Sequence, residues 1–346
     1  MFGSRGQLIG LDIGTHAVKV AVLEAHGEGY ALRRFGSRPL EPEVIVDRAI
    51  MDPQKIAQTI RELFAQVGVR GKHVAVSVAG LSIIVKNIHI PEMTEAELEV
   101  SIQWEAEQYI PFDISDVNLD FQILGPSSRG SGQMEVLLVA VKRDKLQEYT
   151  SLVSEAGLKP AIVDVDSFAL ANCFEHNHVV NPNQLVALID IGAGATNLNI
   201  MDGTKLAFTR DMMIGGNQYT LAIQKELGIG FEEAEALKRG QDTAGVGHDE
   251  VVPILEKVSE EIFSEILRSL EFFKATTQHE AAIEKVVVTG GCSRLPGLLD
   301  FLSDRLGLEV ERLDPLRAID HNLSREEQDM VSAVVIGLGL RKVGDR

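Results

Sequence analysis

The chain has 346 residues, of which 45% are hydrophobic and 24% are charged, and this composition predicts a globular protein of about two domains. Its formal net charge of −18 argues against duplex nucleic acid or an anionic membrane as a general partner, because proteins bind both chiefly through clustered lysine and arginine. The two cysteines form no CxxC motif and the N-terminal stretch has no signal-peptide pattern, so we expect a cytoplasmic protein without disulfides or a zinc site.

The first third of the chain predicts three strands, at about 7–13, 17–24 and 30–38. A helix at about 53–67 and a buried strand, HVAVSVAG, follow. The next stretch, from about 80 to 159, has its own order of strand, helix, two strands and helix. We therefore expect it to be an α+β insert.

Two local sequence patterns inside the insert predict specific structures. Thr94 as N-cap and Glu97 three residues later predict a capping box, with Met93 and Leu98 placed to form a hydrophobic staple across it. The sequence GPSSRGSG between two of the strands predicts a hairpin tip.

From residue 185 the opening pattern returns as three strands, VALIDIG, TNLNIMDG and KLAFTRDM, followed by a helix at about 217–227. A long amphipathic helix is predicted by apolar residues that recur every three or four positions: Ile254, Val258, Ile262, Ile266, Leu270 and Phe273. The strand VVVTGG and a helix from Pro296 come next. The apolar run VSAVVIGLGL is about half a membrane span, so we expect a buried helix.

Two stretches, LIGLDIGTHAVKVAVLE and LVALIDIGAGATNLNI, repeat the same strand and Asp-Ile-Gly turn. Glycine at such a turn lets backbone N–H groups approach an anion, and the aspartates, Asp12 and Asp190, can hold Mg²⁺ through water. One copy alone is more often a simple tight turn. Two copies favour a pair of facing hairpins that hold a polyphosphate between two lobes.

A third glycine turn, Gly290-Gly291 in VVVTGGCSRLPGL, ends a β-branched strand. Such a turn admits a phosphate or a flat group close to the backbone, although an ordinary connection between strand and helix has the same pattern. The sequence contains neither a Walker motif nor a complete G-x-G-x-x-G, so the P-loop and Rossmann interpretations fail.

These motifs resemble the actin-like ATPase superfamily. Asp12, Gly14 and Lys19 match the first hairpin of that superfamily, and the second hairpin corresponds to Asp190, Gly192, Gly194 and Thr196. VVVTGGCSRLPGL resembles its adenosine motif, and VDVDSFALANC and DMVSAVVIGLGLR resemble the two helices that connect its lobes. The resemblance covers essentially the whole chain and implies an α/β, actin-like (ribonuclease H-like) fold of two lobes with a duplicated core.

A narrower resemblance is to the PilM family of type IV pilus machines, carried by IPEMTEAEL and WEAEQYIPFDISDVNLDFQIL. MIGGNQYT, EAEALK and ILRSLEFF are shared by PilM and by its relative FtsA, the division protein. FtsA typically has a longer chain and a C-terminal amphipathic membrane helix, whereas this sequence ends in GLRKVGDR. The resemblance therefore favours PilM.

The resemblance also implies limits for the parts of the chain. They are 1–183 for lobe I (core 1–79 and 160–183, insert about 80–159), 184–346 for lobe II (core 184–216 and 284–325, small subdomain about 217–283), and 329–341 for a terminal helix returning to lobe I.

The family implies ATP or ADP with Mg²⁺ in the cleft. Asp12 and Asp190 would organise the metal, Lys19 would neutralise phosphate charge, and Asp166 would orient water or serve as an N-cap. The residues expected to contact the nucleotide are Gly14, Thr15, Lys19, Gly192, Ala193, Gly194, Thr196, Gly215, Gly216, Glu235, Lys238, Arg268, Gly290, Gly291 and Cys292. Within this set Glu235 and Lys238 would reach the ribose and Arg268 the adenine. For these three a solvated helix surface is the alternative.

The implied function is an ATP-binding adaptor with slow turnover, since no strong general base is evident. Its partner would be the cytoplasmic N-terminal tail of PilN, and it would link the pilus motor ATPases to the inner membrane, reached only through partners. Oligomers of the chain are also conceivable for this family. Two alternatives stay open: a membrane-tethering filament protein like FtsA, and a small-molecule kinase on the same fold.

Overall fold

The two copies of the Asp-Ile-Gly repeat lie at the centres of two different β-sheets in the computed structural model. The structure describes residues 8–127, 130–182, 184–243, 245–277 and 282–345. The strands are β1 (Ile9–Ile13), β2 (Ala17–His26), β3 (Gly29–Pro39), β4 (Ile45–Val46), β5 (Ala49–Ile50), β6 (His73–Val78), β7 (Ile83–Pro91), β8 (Val117–Pro126), β9 (Gln133–Lys142), β10 (Lys159–Val165), β11 (Leu185–Ile191), β12 (Thr196–Asp202), β13 (Lys205–Met212), β14 (Ile283–Thr289), β15 (Glu309–Arg312) and β16 (Ile319–Asp320).

Helices cover both sheets. The α-helices are α1 (Pro53–Val67), α2 (Glu95–Glu107), α3 (Arg143–Glu155), α4 (Asp166–Asn177), α5 (Gly216–Leu227), α6 (Phe231–Lys238), α7 (His248–Thr276), α8 (Leu298–Leu306), α9 (Arg325–Met330) and α10 (Ala333–Leu340). Short 3₁₀ helices occur at Ile114–Asp116 and Gly291–Arg294. Among the described residues, no helix is both long and apolar enough to cross a bilayer.

The first sheet has the strand order β10-β6-β1-β2-β3-β16. Strand β1 pairs antiparallel with β2 on one side and parallel with β6 on the other. This register places Asp12 directly opposite Lys19. Leu11, Val20 and Leu23 of these strands are fully buried, as expected for a central strand pair covered by helices.

The second sheet repeats this arrangement in the order β13-β12-β11-β14-β15. Strand β11 pairs antiparallel with β12 and parallel with β14, and Asp190 lies opposite Asn197. Each sheet therefore has an antiparallel hairpin beside a parallel neighbour, built on one copy of the repeat. The duplicated α/β core predicted from the sequence is confirmed.

A third sheet, in the order β7-β9-β8, packs against α2 and has a hydrophobic core of its own. The capping box predicted before α2 is present, with Thr94 Oγ1 accepting from the Glu97 N–H and Glu97 Oε2 accepting from the Thr94 N–H. Strand β8 ends at Pro126 and β9 begins at Gln133, but residues 128–129 of the predicted hairpin tip lie outside the described residues.

Helix α3 does not belong to this third core, although the sequence interpretation placed it in the insert. It buries Tyr149, Leu152 and Val153 in the same cluster as the apolar residues of β1 and β6. The predicted limits of 80 and 159 stay a prediction, and this packing favours an end near the last residue of β9.

Helix α7 presents the apolar face that the sequence predicts. Val258, Ile262, Ile266, Leu270 and Phe273 are buried against the second sheet, and Ile254 is partly buried beside them. The spacing of these residues follows one side of an α-helix, so the periodicity alone located the face.

Helices α4 and α10 pack against each other, and α10 also packs against β1. The contact is close because both partners present small residues: a Cβ at Gly337 would collide with the carbonyl of Ala169, and one at Gly10 with that of Val335. Helix α10 is almost wholly buried, which confirms the prediction for VSAVVIGLGL.

Two predicted helix boundaries are wrong. The terminal helix expected at 329–341 is two helices, α9 and α10, because the side chain of Ser332 caps a new helix by accepting from the Val335 N–H. Helix α8 begins at Leu298 rather than at Pro296, because Gly297 before it is left-handed with a φ of 77°.

Candidate functional site

The turns of the two repeated hairpins face each other. The first turn is closed by the Gly14 N–H donating to the Ala17 carbonyl at 3.1 Å, and the second by the Gly192 N–H donating to the Ala195 carbonyl at 2.9 Å. A Cβ placed on Gly194 would lie 2.8 Å from Thr15 Oγ1. The two turns are therefore in contact, and only glycine at position 194 permits this approach.

Asp12, at the end of β1, is neutralised by its neighbours. Lys19 Nζ lies 3.3 Å from Asp12 Oδ2, and Ser332 Oγ donates to the same oxygen at 2.7 Å. Lys19 comes from the opposite strand of the hairpin and Ser332 from the residue before α10. The first repeat thus holds an ion pair in which the carboxylate is fixed from two directions.

Asp190, at the end of β11, has no such partner. No lysine or arginine within the described ranges pairs with it, since its cross-strand neighbour is Asn197. Burial raises the pKa of Asp190 to about 7, and the nearby carboxylates of Asp166 and Asp12 add to this effect. Asn197 instead donates to Asp211 Oδ1 at 2.8 Å.

Asp166 is the third carboxylate of this cluster and is the first residue of α4. Its Oδ1 accepts from Ser77 Oγ at 2.6 Å and its Oδ2 from Arg48 Nη1 at 2.8 Å. Burial raises the pKa of Asp166, although Arg48 and Ser77 oppose this shift. The alternative role of Asp166 as an N-cap is wrong, because Val165 stands at that position and no side chain caps the helix.

Sequence reasoning missed Arg48 and Ser77. A sequence signal for Ser77 did exist, because it is the next-to-last residue of β6, the parallel neighbour of β1, and strand ends of this kind meet at one edge of a sheet. Arg48 had none, because it lies in the turn between β4 and β5, 118 residues before its partner.

The glycines at the start of α5 lie against the second turn. The N–H groups of Gly216 and Asn217 donate to the carbonyls of Gly192 and Ala193 at 2.9 and 2.7 Å. A Cβ on Gly215 would lie 2.7 Å from the Gly192 carbonyl oxygen. The sequence-predicted Gly192, Ala193, Gly215 and Gly216 are thus brought together.

The third glycine turn meets the same region. Gly290 has a φ of 84°, and a Cβ there would collide with Asp190 and with the carbonyl of Ile191. Cys292 packs beside Gly216, and burial raises the pKa of its thiol to about 12, so the thiol is a packing group. Gly291 has open space beside it.

Three other predicted residues differ in their surroundings. Thr196 is fully buried and its hydroxyl donates to the Ile214 carbonyl at 2.7 Å. Lys238 Nζ pairs with Glu235 Oε1 and lies 2.9 Å from Thr220 Oγ1 and 3.3 Å from the carbonyl oxygen of Gly216, next to the glycine cluster. Burial opposes ionisation of Glu235, but Lys238 outweighs it and lowers the pKa.

Arg268 is set apart from the groups described above. Its side chain is 63% exposed and pairs with Glu265, one turn away on α7, at 2.7 Å. Its predicted place against adenine stays a prediction.

The residues around the two turns fit a magnesium nucleotide on two observations. Gly14, Gly192 and Gly194 present backbone without side chains, and Asp190 forms no ion pair with any lysine or arginine in the part of the chain that the structure describes. Among the residues described, no three His, Cys, Asp or Glu side chains are arranged to ligate a metal by themselves. Such a site suits Mg²⁺, which keeps several waters and completes its shell with phosphate oxygens.

The duplicated sheets and facing hairpins define an actin-like protein. Solved structures with this fold include the ethanolamine utilization protein EutJ from Carboxydothermus hydrogenoformans (18% identity, TM-score 0.60, covering 98% of this chain and 91% of that one). MreB5 of Spiroplasma citri bound to AMPPNP is similar at 14% identity and a TM-score of 0.55, over 97% of this chain and 95% of that one. These likenesses confirm the predicted fold class.

The chain belongs to the PilM family of type IV pilus assembly proteins, whose family model matches residues 10–343. A solved PilM-PilN type IV pilus biogenesis complex is similar at 30% identity and a TM-score of 0.83, covering 96% of this chain and 98% of that one. The cell division protein FtsA of Enterococcus hirae is 25% identical over 90% of this chain and 78% of its own length. The resemblance inferred from the sequence is confirmed.

Proposed function

We propose that this protein binds Mg-ATP or Mg-ADP between the two facing turns and acts as a nucleotide-dependent adaptor of a type IV pilus machine. The observation that carries the proposal is the contact of Thr15 with Gly194, each on the turn of one repeat, together with the mutual proximity of the carboxylates of Asp12, Asp166 and Asp190. A nucleotide in this position would touch both lobes. The angle between the lobes would then depend on which nucleotide is bound.

The assigned roles follow from the local contacts. A bound Mg²⁺ would neutralise phosphate charge, with Asp12 and Asp190 holding it through water. Lys19 would contribute a second positive charge, and the backbone at Gly14, Thr15 and the second turn would hold the phosphates. Asp166, fixed by Ser77 and Arg48, would orient a water molecule. Hydrolysis by such a site depends on positioning and electrostatics, so we expect slow turnover.

The remaining nucleotide contacts are proposed from the positions of the residues in the fold. Glu235 and Lys238 would reach the ribose from beside the first turn of α5, and Arg268 would turn from Glu265 to the adenine. Gly290 and Gly291 would let the adenosine approach the backbone.

The proposed partner is the N-terminal cytoplasmic tail of a PilN-type protein. Support comes from the solved PilM-PilN type IV pilus biogenesis complex to which this chain is similar. The tail would bring this acidic protein to the inner membrane and link it to the pilus motor ATPases. Coupling between nucleotide and partner is typically worth about 1–3 kcal/mol and is reciprocal, so partner binding would also change nucleotide affinity.

Calorimetric titration tests the proposal directly. The protein is titrated with a synthetic PilN-type N-terminal peptide, with and without Mg-ATP. We expect peptide affinity to change about 5- to 100-fold with nucleotide, and the change to vanish in Asp190→Ala. Asp304→Ala, which removes an exposed carboxylate on α8, is the matched control and should behave as wild type. Peptide affinity indifferent to Mg-ATP would leave a passive adaptor and defeat the switch.

A second candidate is an FtsA-like filament protein that tethers a polymer to membrane. The 25% identity to FtsA of Enterococcus hirae and of Bacillus subtilis, over 90% and 89% of this chain, favours keeping it. Nucleotide-dependent filaments that sediment with liposomes, in the absence of any partner peptide, would support this candidate over the adaptor.

A further inference from the structure

Arg48 lies in a turn whose backbone is unusual for its sequence. Strands β4 and β5 pair as a small hairpin with a two-residue loop, Asp47-Arg48, and both loop residues are left-handed with φ values of 48° and 62°. Such loops normally carry glycine at the second position, where it relieves backbone strain. An arginine held in this conformation is a local strain that the surrounding contacts must sustain.

From this turn the side chain of Arg48 extends to the carboxylate of Asp166. Its Nη1 lies 2.8 Å from Asp166 Oδ2, and both side chains are 20% exposed. Its aliphatic part packs over Gly80, where a Cβ would lie 3.3 Å from Arg48 Cδ. Gly80 is thus small enough to let the guanidinium pass to Asp166.

The backbone of the turn is held from another side. Lys145 Nζ donates to the Arg48 carbonyl at 2.7 Å and pairs with Glu148 at 2.9 Å. Lys145 is in the first turn of α3, directly after β9 of the three-stranded sheet. The Arg48 turn is therefore fixed between α3 and the start of α4.

We propose that Arg48 is a positioning residue for Asp166, which it holds in one orientation for hydrolysis without contributing to nucleotide affinity. Ser77 fixes one carboxylate oxygen and Arg48 the other, so Asp166 has no freedom to rotate. A buried carboxylate also needs a paired cation to stay charged. The inference rests on the proposed nucleotide function and assigns to the same site a residue outside the repeated hairpins.

The test compares variants in two assays, fluorescent Mg-nucleotide binding and single-turnover hydrolysis of radiolabelled ATP. Arg48→Met is expected to slow hydrolysis about 10- to 100-fold, while the nucleotide Kd changes less than about threefold. Arg48→Lys should recover part of the rate, because it keeps the charge but loses the planar fork. Arg33→Met, which removes an exposed arginine paired with Glu24, is the matched control.

A double-mutant cycle separates positioning from a general structural role. In the Asp166→Asn background, Arg48→Met should slow hydrolysis no further, because its target is already gone. An equal slowing in both backgrounds would overturn the inference. If Arg48→Met fails to fold, Lys145→Met tests the same turn, with an expected threefold to tenfold slowing and unchanged Kd.

The failures of the two proposals are distinguishable. Wild-type protein that binds no nucleotide would refute the proposed function. Wild-type protein that binds nucleotide, but in which Arg48→Met hydrolyses at the wild-type rate, would refute only the role of Arg48. Binding without any hydrolysis above the rate in buffer would also refute that role and would leave the adaptor standing.

Discussion

The two Asp-Ile-Gly turns share a sequence and a strand arrangement but not an electrostatic state. Asp12 is opposite Lys19 and accepts from Ser332, whereas Asp190 is opposite Asn197 and forms no ion pair within the described ranges. Burial, with Asp166 and Asp12 nearby, raises the pKa of Asp190 to about 7. One repeat thus has a carboxylate already neutralised by the protein, and the other has one that needs a proton or a cation.

Because of this difference, the two repeats contribute differently to stability and to ligand binding. A fixed ion pair stabilises the protein whether or not a ligand is present, but an unpaired carboxylate costs stability until a ligand cation compensates it. The second turn is also where three segments meet, because Gly215, Gly216 and Gly290 all pack on residues 190–195. We infer that the ion pair of the first turn stabilises the protein with or without a ligand, and that the carboxylate of the second turn is stabilised when a ligand cation binds.

The largest expected effect is at Gly290, in the loop that meets the second turn. Gly290→Ala puts a Cβ onto Asp190 and the Ile191 carbonyl in a left-handed conformation. We expect a loss of about 3–5 kcal/mol in the free energy of unfolding, measured by urea denaturation. Gly291→Ala, with open space around its Cβ, should stay within about 0.5 kcal/mol of wild type. Similar losses in both variants would mean that the turn is not built as described.

The next largest effect is a change in the free energy of unfolding that has opposite signs when Asp12 and Asp190 are replaced. At pH 8, Asp12→Asn should lower the free energy of unfolding by about 1 kcal/mol, because it leaves Lys19 without its partner. Asp190→Asn should raise it by about 1–2 kcal/mol, because it removes a partly buried carboxylate that forms no ion pair among the described residues. Chemical denaturation of wild type and of both variants at pH 8 measures the two changes in the free energy of unfolding.

The stability gained in Asp190→Asn should increase as the pH rises. A native pKa of about 7, above the ordinary value of 3.8, means that wild-type stability falls as pH rises from about 4 to about 7. The advantage of Asp190→Asn should therefore be smaller at pH 5 than at pH 8, where it is complete. A gain equal at both pH values would show that the carboxyl is not protonated in the native state.

A third prediction concerns nucleotide affinity. Mg²⁺ needs Asp190 ionised, so affinity for Mg-nucleotide should rise about tenfold between pH 6 and pH 8. Because the terminal phosphate of the nucleotide also titrates, the informative comparison is with Asn197→Lys, which makes the second hairpin like the first. That variant should show a flatter profile by calorimetry. Parallel profiles in the two proteins would contradict the assignment.

The sequence predicted the parts of this site that depend on local pattern. The hairpins of Asp12 and Asp190, the glycines of both turns and the capping box at Thr94 all follow from residues close together in the chain. A repeated turn also predicts a repeated topology, because the same apolar run and glycine lead to the same strand pairing.

What the sequence did not predict depends on distant residues. Ser332 and Asp12 are 320 residues apart, and Arg48 and Asp166 are 118 apart, so no periodicity or spacing connects them. The electrostatic difference between the halves has the same origin. Lys19 and Asn197 can be read from the sequence, but the pKa of Asp190 is raised by burial and by Asp166 and Asp12, which are distant in the chain.

The smallest expected effect is at Ser332, the residue that supports Asp12 from outside the repeat. Its hydroxyl donates to Asp12 Oδ2 at 2.7 Å and accepts from the Val335 N–H at 3.2 Å, so one side chain both fixes the carboxylate and caps α10. Ser332→Ala should cost about 1 kcal/mol of stability by urea denaturation. In the Asp12→Asn background the cost should shrink, because only the cap remains to be lost. An undiminished cost would mean that the capping of α10, rather than the hold on Asp12, is what Ser332 contributes to the first turn.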